Sequence, residues 1–491
     1  MSEERRLSID ESMEELRKLF APRSEETPLA PQEPPPKQSP PEASPVNSDV
    51  LADDKGYIDG PWIVHTDKGV RIIPQLLSMY LKEKYIFLVI GNKAVKDTLL
   101  FLYKDGYYHL LDEFECANFI YDFLPPEHRL PSHWRNVHQE LQIQRSNVKR
   151  SDLNPEHLIN FNNGVLDLNT GKLMEHSPSI YMTTKIPCDY VPCKSRNDAP
   201  TFKGFLDDLT QCDRDVQKLL FEYIGAIISN VHGYRFKKML ILYGKGDTGK
   251  SVLRDFVIEL IGRENSHSID LKDLNNRFGT SQIFGKRLAG AGDLAFAAIP
   301  ELDKVKELTG GDDLNAEYKG KDGFSYKYTG FLWYNTNQLP TFRGDTGKHV
   351  FQRLLVVPCN NVIPEERQDK NLVSKLLQEK EAIIYLCICH LRNVLQRGYL
   401  FTEGEVVKTA RANYMNENNS LLRFVHERCT LNEGSTKRST FNRSYKLWCM
   451  CKGVASERHG NIESKLSEAF GISAYKNGEI YYPLTINPEQ D

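Results

Sequence analysis

Apolar residues along this chain recur with a helical period in some stretches and run together or alternate in others. Near the amino terminus Ile9, Met13, Leu16 and Phe20 share one helical face behind the pair Ser8 and Glu11, which predicts a short capped helix over residues 8–20. Between residues 56 and 150, strand-like runs (KYIFLVIG, TLLFLYKDGYYHLL) mix with helical ones (FECANFIYDFL, SHWRNVHQELQIQ), and Lys104-Asp105-Gly106 is a hairpin signal. Turns are also predicted at Asn163-Gly164 and Thr170-Gly171, and residues 200–235 read as helical. Met239–Tyr243 is a short apolar run, the mark of a buried parallel strand, and Val252, Leu253, Phe256, Val257, Leu260 and Ile261 then repeat at helical spacing. Phe331–Tyr334 reads as another buried strand, residues after 368 turn helical again, and the chain closes on a hairpin about Asn477-Gly478.

Composition changes this picture mainly at the amino terminus. The first 55 residues hold nine of the 25 prolines, with 13 acidic against 7 basic residues. Such a stretch buries too little apolar surface to fold, so a disordered linker is expected after the short helix. That helix is either a docking peptide for a partner or a terminus with no role. Removing this segment's net charge of −6 from the total of −3 leaves the body near +3, which permits a local basic channel without requiring one. The length of 491 residues predicts two to four domains. No run reaches the roughly 18 to 20 apolar residues of a membrane span, and the charged start MSEERRLSIDESMEEL is unlike a signal peptide. A cytoplasmic protein is expected. Ten cysteines are scattered, and neither Cys387-x-Cys389-His390 nor Cys449-x-Cys451 has the paired spacing of a zinc site. They read as reduced core thiols.

The chemistry concentrates in residues 238–360. The apolar run Met239–Tyr243 leads at once into Gly244-Lys245-Gly246-Asp247-Thr248-Gly249-Lys250-Ser251, and the helix follows. A G-x4-G-K-S loop between strand and helix predicts an ATP phosphate cradle. Its glycines let backbone N–H groups face the phosphates, and the helix N-terminus adds partial positive charge. Lys250 suits the β and γ phosphates, and the Ser251 hydroxyl suits Mg²⁺. Asp293 closes the run Lys286-Arg-Leu-Ala-Gly-Ala-Gly and is the candidate acid for Mg²⁺, although the strand before it is rich in small residues and a turn would also use an aspartate there. Glu301 is the second candidate. Asn337, at the end of Phe-Leu-Trp-Tyr-Asn-Thr-Asn, suits contact with the γ-phosphate, and an Asn-rich turn before Pro340 is the alternative.

Taken in order, G-x4-G-K-S, R-L-x4-D, L-T-G-G-D, T-x-N-x-L-P and R-L-x-V-x-P resemble the C-terminal helicase part of phage and plasmid primase–helicases of the satellite-phage type. These are superfamily 3 helicases of the AAA+ class. The resemblance covers roughly residues 155–460 and includes FNNGVLDLNTGKLMEHSP, which looks like the poxvirus-type domain flanking the helicase. It implies an α/β fold: an AAA+ P-loop core with a parallel sheet, an α+β N-terminal region and a C-terminal winged-helix-like domain. The boundaries expected are 1–55 for helix and linker, 56–150 for the α+β region and 151–235 for the flanking domain. They continue with 236–365 for the core, 366–419 for a helical lid or connector and 420–491 for the winged-helix-like unit.

The resemblance also implies roles. Lys250 and Ser251 match the Walker A lysine and hydroxyl, Asp293 the Walker B acid, and Asn337 the sensor. Arg353 matches the arginine that reaches a neighbouring subunit's ATP, with Arg343 a second candidate. A homo-oligomeric ring, typically a hexamer, follows from that role. Lys319 and Lys321, at the tip of a hairpin between the acid and the sensor, match a pore hairpin gripping DNA, and Tyr326 and Tyr328 would pack beneath it; a solvated surface hairpin is the alternative. The basic run Thr436–Lys446 would open a helix touching DNA phosphates. Residues 56–150 show no Asp-x-Asp or Asp-x-Glu pair for two metals, so primer synthesis is not expected.

The function expected is an ATP- and Mg²⁺-dependent DNA helicase of a phage or mobile element, working in a bacterial cytoplasm on single-stranded DNA at a replication fork, with a replication protein as the partner for the N-terminal helix if that helix docks. An origin-binding initiator and a P-loop ATPase that is not a helicase are the competing readings.

Overall fold

The structure is a computed structural model. It describes residues 56–67, 69–91, 98–143, 146–193, 196–293, 303–317, 323–340, 348–452, 454, 456–457 and 459–487. The helix expected over residues 8–20 lies outside the described residues, as do Glu301, Lys319, Lys321 and Arg343. The chain divides into two compact units, Met1–Tyr190 and Val191–Asp491.

The first unit mixes helices with small antiparallel sheets. Strands Phe87–Ile90, Leu99–Lys104 and Tyr107–Leu110 form one sheet, and Leu158–Phe161, Gly164–Asp167 and Leu173–Met174 form another. The two-residue turn Asp105-Gly106 has φ of 52° and 84°, both left-handed, which matches the twist of the strands it joins. Helices Pro74–Lys84, Glu113–Tyr121 and Pro131–Ile143 cover a core centred on Trp62. The indole Nε1 of Trp62 donates to the Phe123 carbonyl at 2.8 Å, so its one polar atom is satisfied inside that core.

The second unit is built on a five-stranded parallel sheet. Its strands are β1 (Met239–Tyr243), β2 (Ser266–Ser268), β3 (Leu288–Gly290), β4 (Phe331–Thr336) and β5 (Leu354–Pro358), in the spatial order β2-β3-β4-β1-β5. All six residues of β4 are buried, as a strand covered on both faces requires. One face packs Ile241, Tyr334 and Val356 against Leu271, Leu308 and Tyr414. On the other, Tyr223 of the helix Arg214–Ile228 donates to the Leu332 carbonyl at 2.7 Å and meets Trp333 edge-on. The small residues of β3 have a steric cause. A Cβ on Gly290 would stand 1.9 Å from the Trp333 carbonyl oxygen, so β3 approaches β4 too closely for a side chain there.

The helix Arg214–Ile228 also carries a wholly buried carboxylate, Glu222. It accepts hydrogen bonds from Arg397 Nη2 (2.6 Å), the Thr402 N–H (2.7 Å) and Thr402 Oγ1 (2.8 Å). Burial pushes its pKa up, while these donors pull it down.

Residues 420–487 run helix, strand, helix, helix, strand, strand: Ser420–Arg428, Cys429–Lys437, Arg438–Lys452, His459–Phe470, Tyr475–Asn477 and Glu479–Ile486. The strands pair antiparallel around Phe424, Tyr445, Leu466 and Tyr482. The basic run is thus split: Thr436 and Lys437 end a strand, and the helix begins at Arg438. Cys387, Cys389 and Cys449 are buried, as expected, but Cys451 is exposed. It follows Met450 on a face of its helix that the core does not cover. No helix among the described residues is long and apolar enough to cross a membrane.

Candidate functional site

The G-x4-G-K-S loop lies at the carboxyl end of β1, at the head of the helix Lys250–Ile261. Its first glycine is fixed by crowding. Gly244 has φ of +146°, and a Cβ there would stand 2.1 Å from the Cys359 carbonyl oxygen. Gly249, with φ of +90°, faces the ring of Phe205, 2.9 Å from where a Cβ would be. Gly246 looks into open space, and Lys245, Gly246 and Asp247 form the exposed crest. The Ile363 N–H donates to the Asp247 carbonyl at 2.8 Å and ties this crest to the segment after β5. The loop is therefore rigid below and open above, as a cradle for phosphate must be.

Lys250 is buried, and its ammonium donates to the Gly244 carbonyl (2.9 Å), the Lys245 carbonyl (2.6 Å) and Thr248 Oγ1 (3.1 Å). Burial lowers its pKa, while the nearby Cys359, Asp293 and Asp247 act in the opposite sense. Asp293 is thus close enough to act electrostatically on the loop lysine. Ser251 is exposed next to it. The donor set fits a Mg²⁺-bound triphosphate: an ammonium on the loop, a hydroxyl at the helix start and a carboxylate across from them.

The parallel register brings the remaining candidates to the same carboxyl end of the sheet. Thr336 pairs with Tyr243, and the Gly244 N–H donates to the Thr336 carbonyl at 3.2 Å, so Asn337 follows directly beside the loop. The Asn335 N–H donates to the Ala291 carbonyl at 3.0 Å. Two residues further along each chain stand Asn337 and Asp293. Asn337 is exposed, whereas Asn335 is wholly buried and accepts from Trp333 Nε1 at 2.9 Å. Asp293 also sits on the wall of a cavity of about 600 Å³ with Asp270, Asp273 and Phe278.

Arg353 does not join this group. It precedes β5, where its carbonyl accepts from the Met239 N–H at 2.8 Å, at the amino end of the strands. Five residues at roughly 3.3 Å each put it about 16 Å from the loop along the strand. Its Nη1 donates to Thr309 Oγ1 at 3.0 Å, within the L-T-G-G-D segment. The hairpin arms predicted between acid and sensor are present as Asp313–Ala316 and Phe324–Lys327. Tyr326 and Tyr328 are buried beneath them, with Tyr326 Oη donating to the Thr280 carbonyl and Tyr328 Oη to Phe331. Lys327 is exposed on the second arm, and Glu317, just past the first, takes a forked pair from Arg277 at 2.9 Å.

Three contributors were not picked out by sequence reasoning. Phe205 and Cys359 shape the loop from distant positions and carry no local signal. Arg254 did carry one, because it is a charge within the apolar stripe formed by Leu253, Val257 and Ile261.

These features can be set beside known proteins. Residues 131–211 match the family described as D5 N terminal like. Residues 242–353 match a family of unknown function (DUF5906), a span that encloses the loop, Asp293, Asn337 and Arg353. An uncharacterized mitochondrial protein, ymf21, of Marchantia polymorpha is 28% identical over 135 residues, which is 26% of this chain and 74% of that protein. Among solved structures, the A form apo structure of the NrS-1 C terminal region is 14% identical and covers 83% of this chain and 97% of its own, at a TM-score of 0.44. A second apo structure of that region, also 14% identical, covers 83% of this chain and 98% of its own, at 0.42.

Proposed function

We propose that this chain is an ATP-dependent replicative DNA helicase of a phage or other mobile element, acting on single-stranded DNA as a homo-oligomeric ring, typically of six. The observation that carries this reading is the alignment of Lys250, Asn337 and Asp293 at the carboxyl ends of a parallel sheet, with Arg353 at the amino ends. The strand order β2-β3-β4-β1-β5, with the loop after β1, supports the AAA+ P-loop core that the sequence resemblance implies. The D5 N terminal like match lies on the flank where a primase–helicase type replication protein carries such a domain.

Bound ATP with Mg²⁺ would supply the phosphoanhydride whose hydrolysis drives the motor. The residues of this chain then have separable tasks. Lys250, now satisfied by its own loop, exchanges carbonyl partners for phosphate oxygens. Ser251 and Asp293 are the residues to hold Mg²⁺. Asn337, exposed at the strand tip, orients the attacking water. Asn337→Ala is expected to lower turnover about 100-fold, the scale of losing one positioned polar group, while affinity for a fluorescent ATP analogue stays within about twofold. An equal loss of both would take Asn337 out of the water-positioning role.

Arg353 cannot reach the loop of its own copy, so on this reading it serves the loop of the next one. Arg353→Ala is expected to remove turnover by about 1000-fold, the scale of a transferred arginine. Mixing it with Lys250→Ala should restore part of the activity, because some interfaces then pair an intact loop with an intact arginine. Mixtures no more active than the two variants apart would overturn the trans assignment.

The order helix, strand, helix, helix, strand, strand in residues 420–487 supports the winged-helix-like unit expected from the sequence, and with it a second role in duplex or origin binding. One experiment separates the readings: ATP-dependent opening of a forked DNA, with tails of either polarity. Strand separation by the intact chain supports the helicase. Duplex binding with negligible turnover supports the initiator, and turnover without unwinding supports another kind of P-loop ATPase.

A further inference from the structure

Arg254 is in an unusual position for a charge. It lies four residues after Lys250 on the same face of the loop helix and is only 5% exposed. Its Nη2 donates to the Gly290 carbonyl at 2.8 Å, and its Nη1 stands 3.7 Å from where a Cβ on Gly292 would be. Its Nε is buried with no hydrogen-bond partner, and among the described residues no carboxylate pairs with the guanidinium. A buried guanidinium held chiefly by one carbonyl is a costly way to fill space. A methionine would fill the same volume without that cost, so packing alone does not account for the arginine.

The segment it holds has little else to fix it. Between Leu288-Ala289 and Asp293 the chain is Gly290-Ala291-Gly292, with almost no side chain to pack. Apart from Arg254, this stretch is held by backbone: the Ile269 N–H donates to Gly290 at 3.1 Å and the Asn335 N–H to Ala291 at 3.0 Å. Neither bond ties it to the loop helix. Arg254 supplies that link.

We infer that Arg254 is a positioning residue for Asp293, pinning the Gly290–Asp293 segment to the helix that begins at Lys250 and so setting where the carboxylate stands toward Mg²⁺. The inference rests on the nucleotide-site reading above and adds to it a residue that does not touch the nucleotide. It separates two quantities. Mg²⁺-free nucleotide binding depends on the loop, whereas the response to Mg²⁺ depends on the placement of Asp293.

The test is equilibrium binding of a fluorescent ATP analogue to the full chain, in EDTA and across a Mg²⁺ titration, for wild type, Arg254→Met and Arg254→Lys. In EDTA all three are expected to agree within about twofold. The Mg²⁺ concentration for half-maximal response should rise about 10-fold in Arg254→Met, the scale seen when a group supporting a metal ligand is lost. In Arg254→Lys, which keeps charge and most of the reach, it should rise about threefold. An unchanged Mg²⁺ response in a folded Arg254→Met overturns the inference. So does a parallel loss of binding in EDTA, which would make Arg254 a support of the loop itself. If Arg254→Met does not fold, Arg254→Lys decides the matter, and a wild-type Mg²⁺ response there overturns it. Wild-type chain that binds the analogue in neither condition overturns the nucleotide-site reading and this inference with it.

Discussion

Replacing Lys250 with alanine is expected to lower ATP turnover by about 100- to 1000-fold, the cost of removing one preorganised cation or donor from a developing phosphate charge. The fold should be unaffected, and the reason is local. The ammonium bonds two carbonyls and a hydroxyl of its own loop, and burial already disfavours its charge. Removing it deletes three hydrogen bonds and one desolvated charge together, two effects of opposite sign and similar size. The melting temperature should therefore stay within about 2 °C of wild type, since roughly 1 kcal/mol moves a domain of this size by a few degrees. Phosphate release and thermal melting measured on the same preparation check both halves. Turnover that survives the substitution would remove the loop from the mechanism. A large fall in melting temperature would mean that Lys250 is chiefly structural.

The largest effect on stability is expected at Glu222. Glu222→Ala should destabilise the second unit by about 3–5 kcal/mol, because it leaves buried donors without their shared acceptor. The Arg397 side chain is 39% exposed and can regain water, which moves the expectation toward the lower end. The Thr402 N–H has less recourse. Urea denaturation monitored on this unit would show the midpoint falling at unchanged slope. The pH dependence has a definite sign. Burial raises the pKa of Glu222 in the folded state, so folding favours the protonated form. Its contribution is complete below the ordinary glutamate range and is lost as pH rises through the folded value. Glu222→Gln lacks this titration, so its stability relative to wild type should improve with rising pH across that window. A constant difference would show that the three donors offset burial.

The parts of the site legible in the sequence are those whose signals are local. The run Met239–Tyr243, the loop and the helix Lys250–Ile261 are contiguous, and each carries its own pattern. The hairpin arms and the packing of Tyr326 and Tyr328 were legible because alternation over a few residues separates the core face from the solvent face. β3 was hard to read for a physical reason. Its residues are small because β4 crowds them, and a strand without bulky residues looks like a loop. A helical period built on apolar residues alone does not register Arg254, whose charge within the stripe is the one signal it leaves. Phe205 and Cys359 contact the loop from 44 and 115 residues away from Gly249 and Gly244, and no local pattern encodes such a meeting. The opposite placements of Asn337 and Arg353 depend on strand direction and register, which the motifs themselves do not contain.

That opposition sets how copies of the chain would have to meet. If Arg353 completes the loop of the next copy, as proposed, a ring joins its copies head to tail, each loop meeting its neighbour's arginine. An open row of n copies then has n − 1 completed sites and two idle halves, one at each end. Closing the row adds a site without adding a subunit. Specific activity should therefore climb with protein concentration and level off only when the row has closed on itself, so that the dose curve of the enzyme alone, before any DNA is added, reports its geometry.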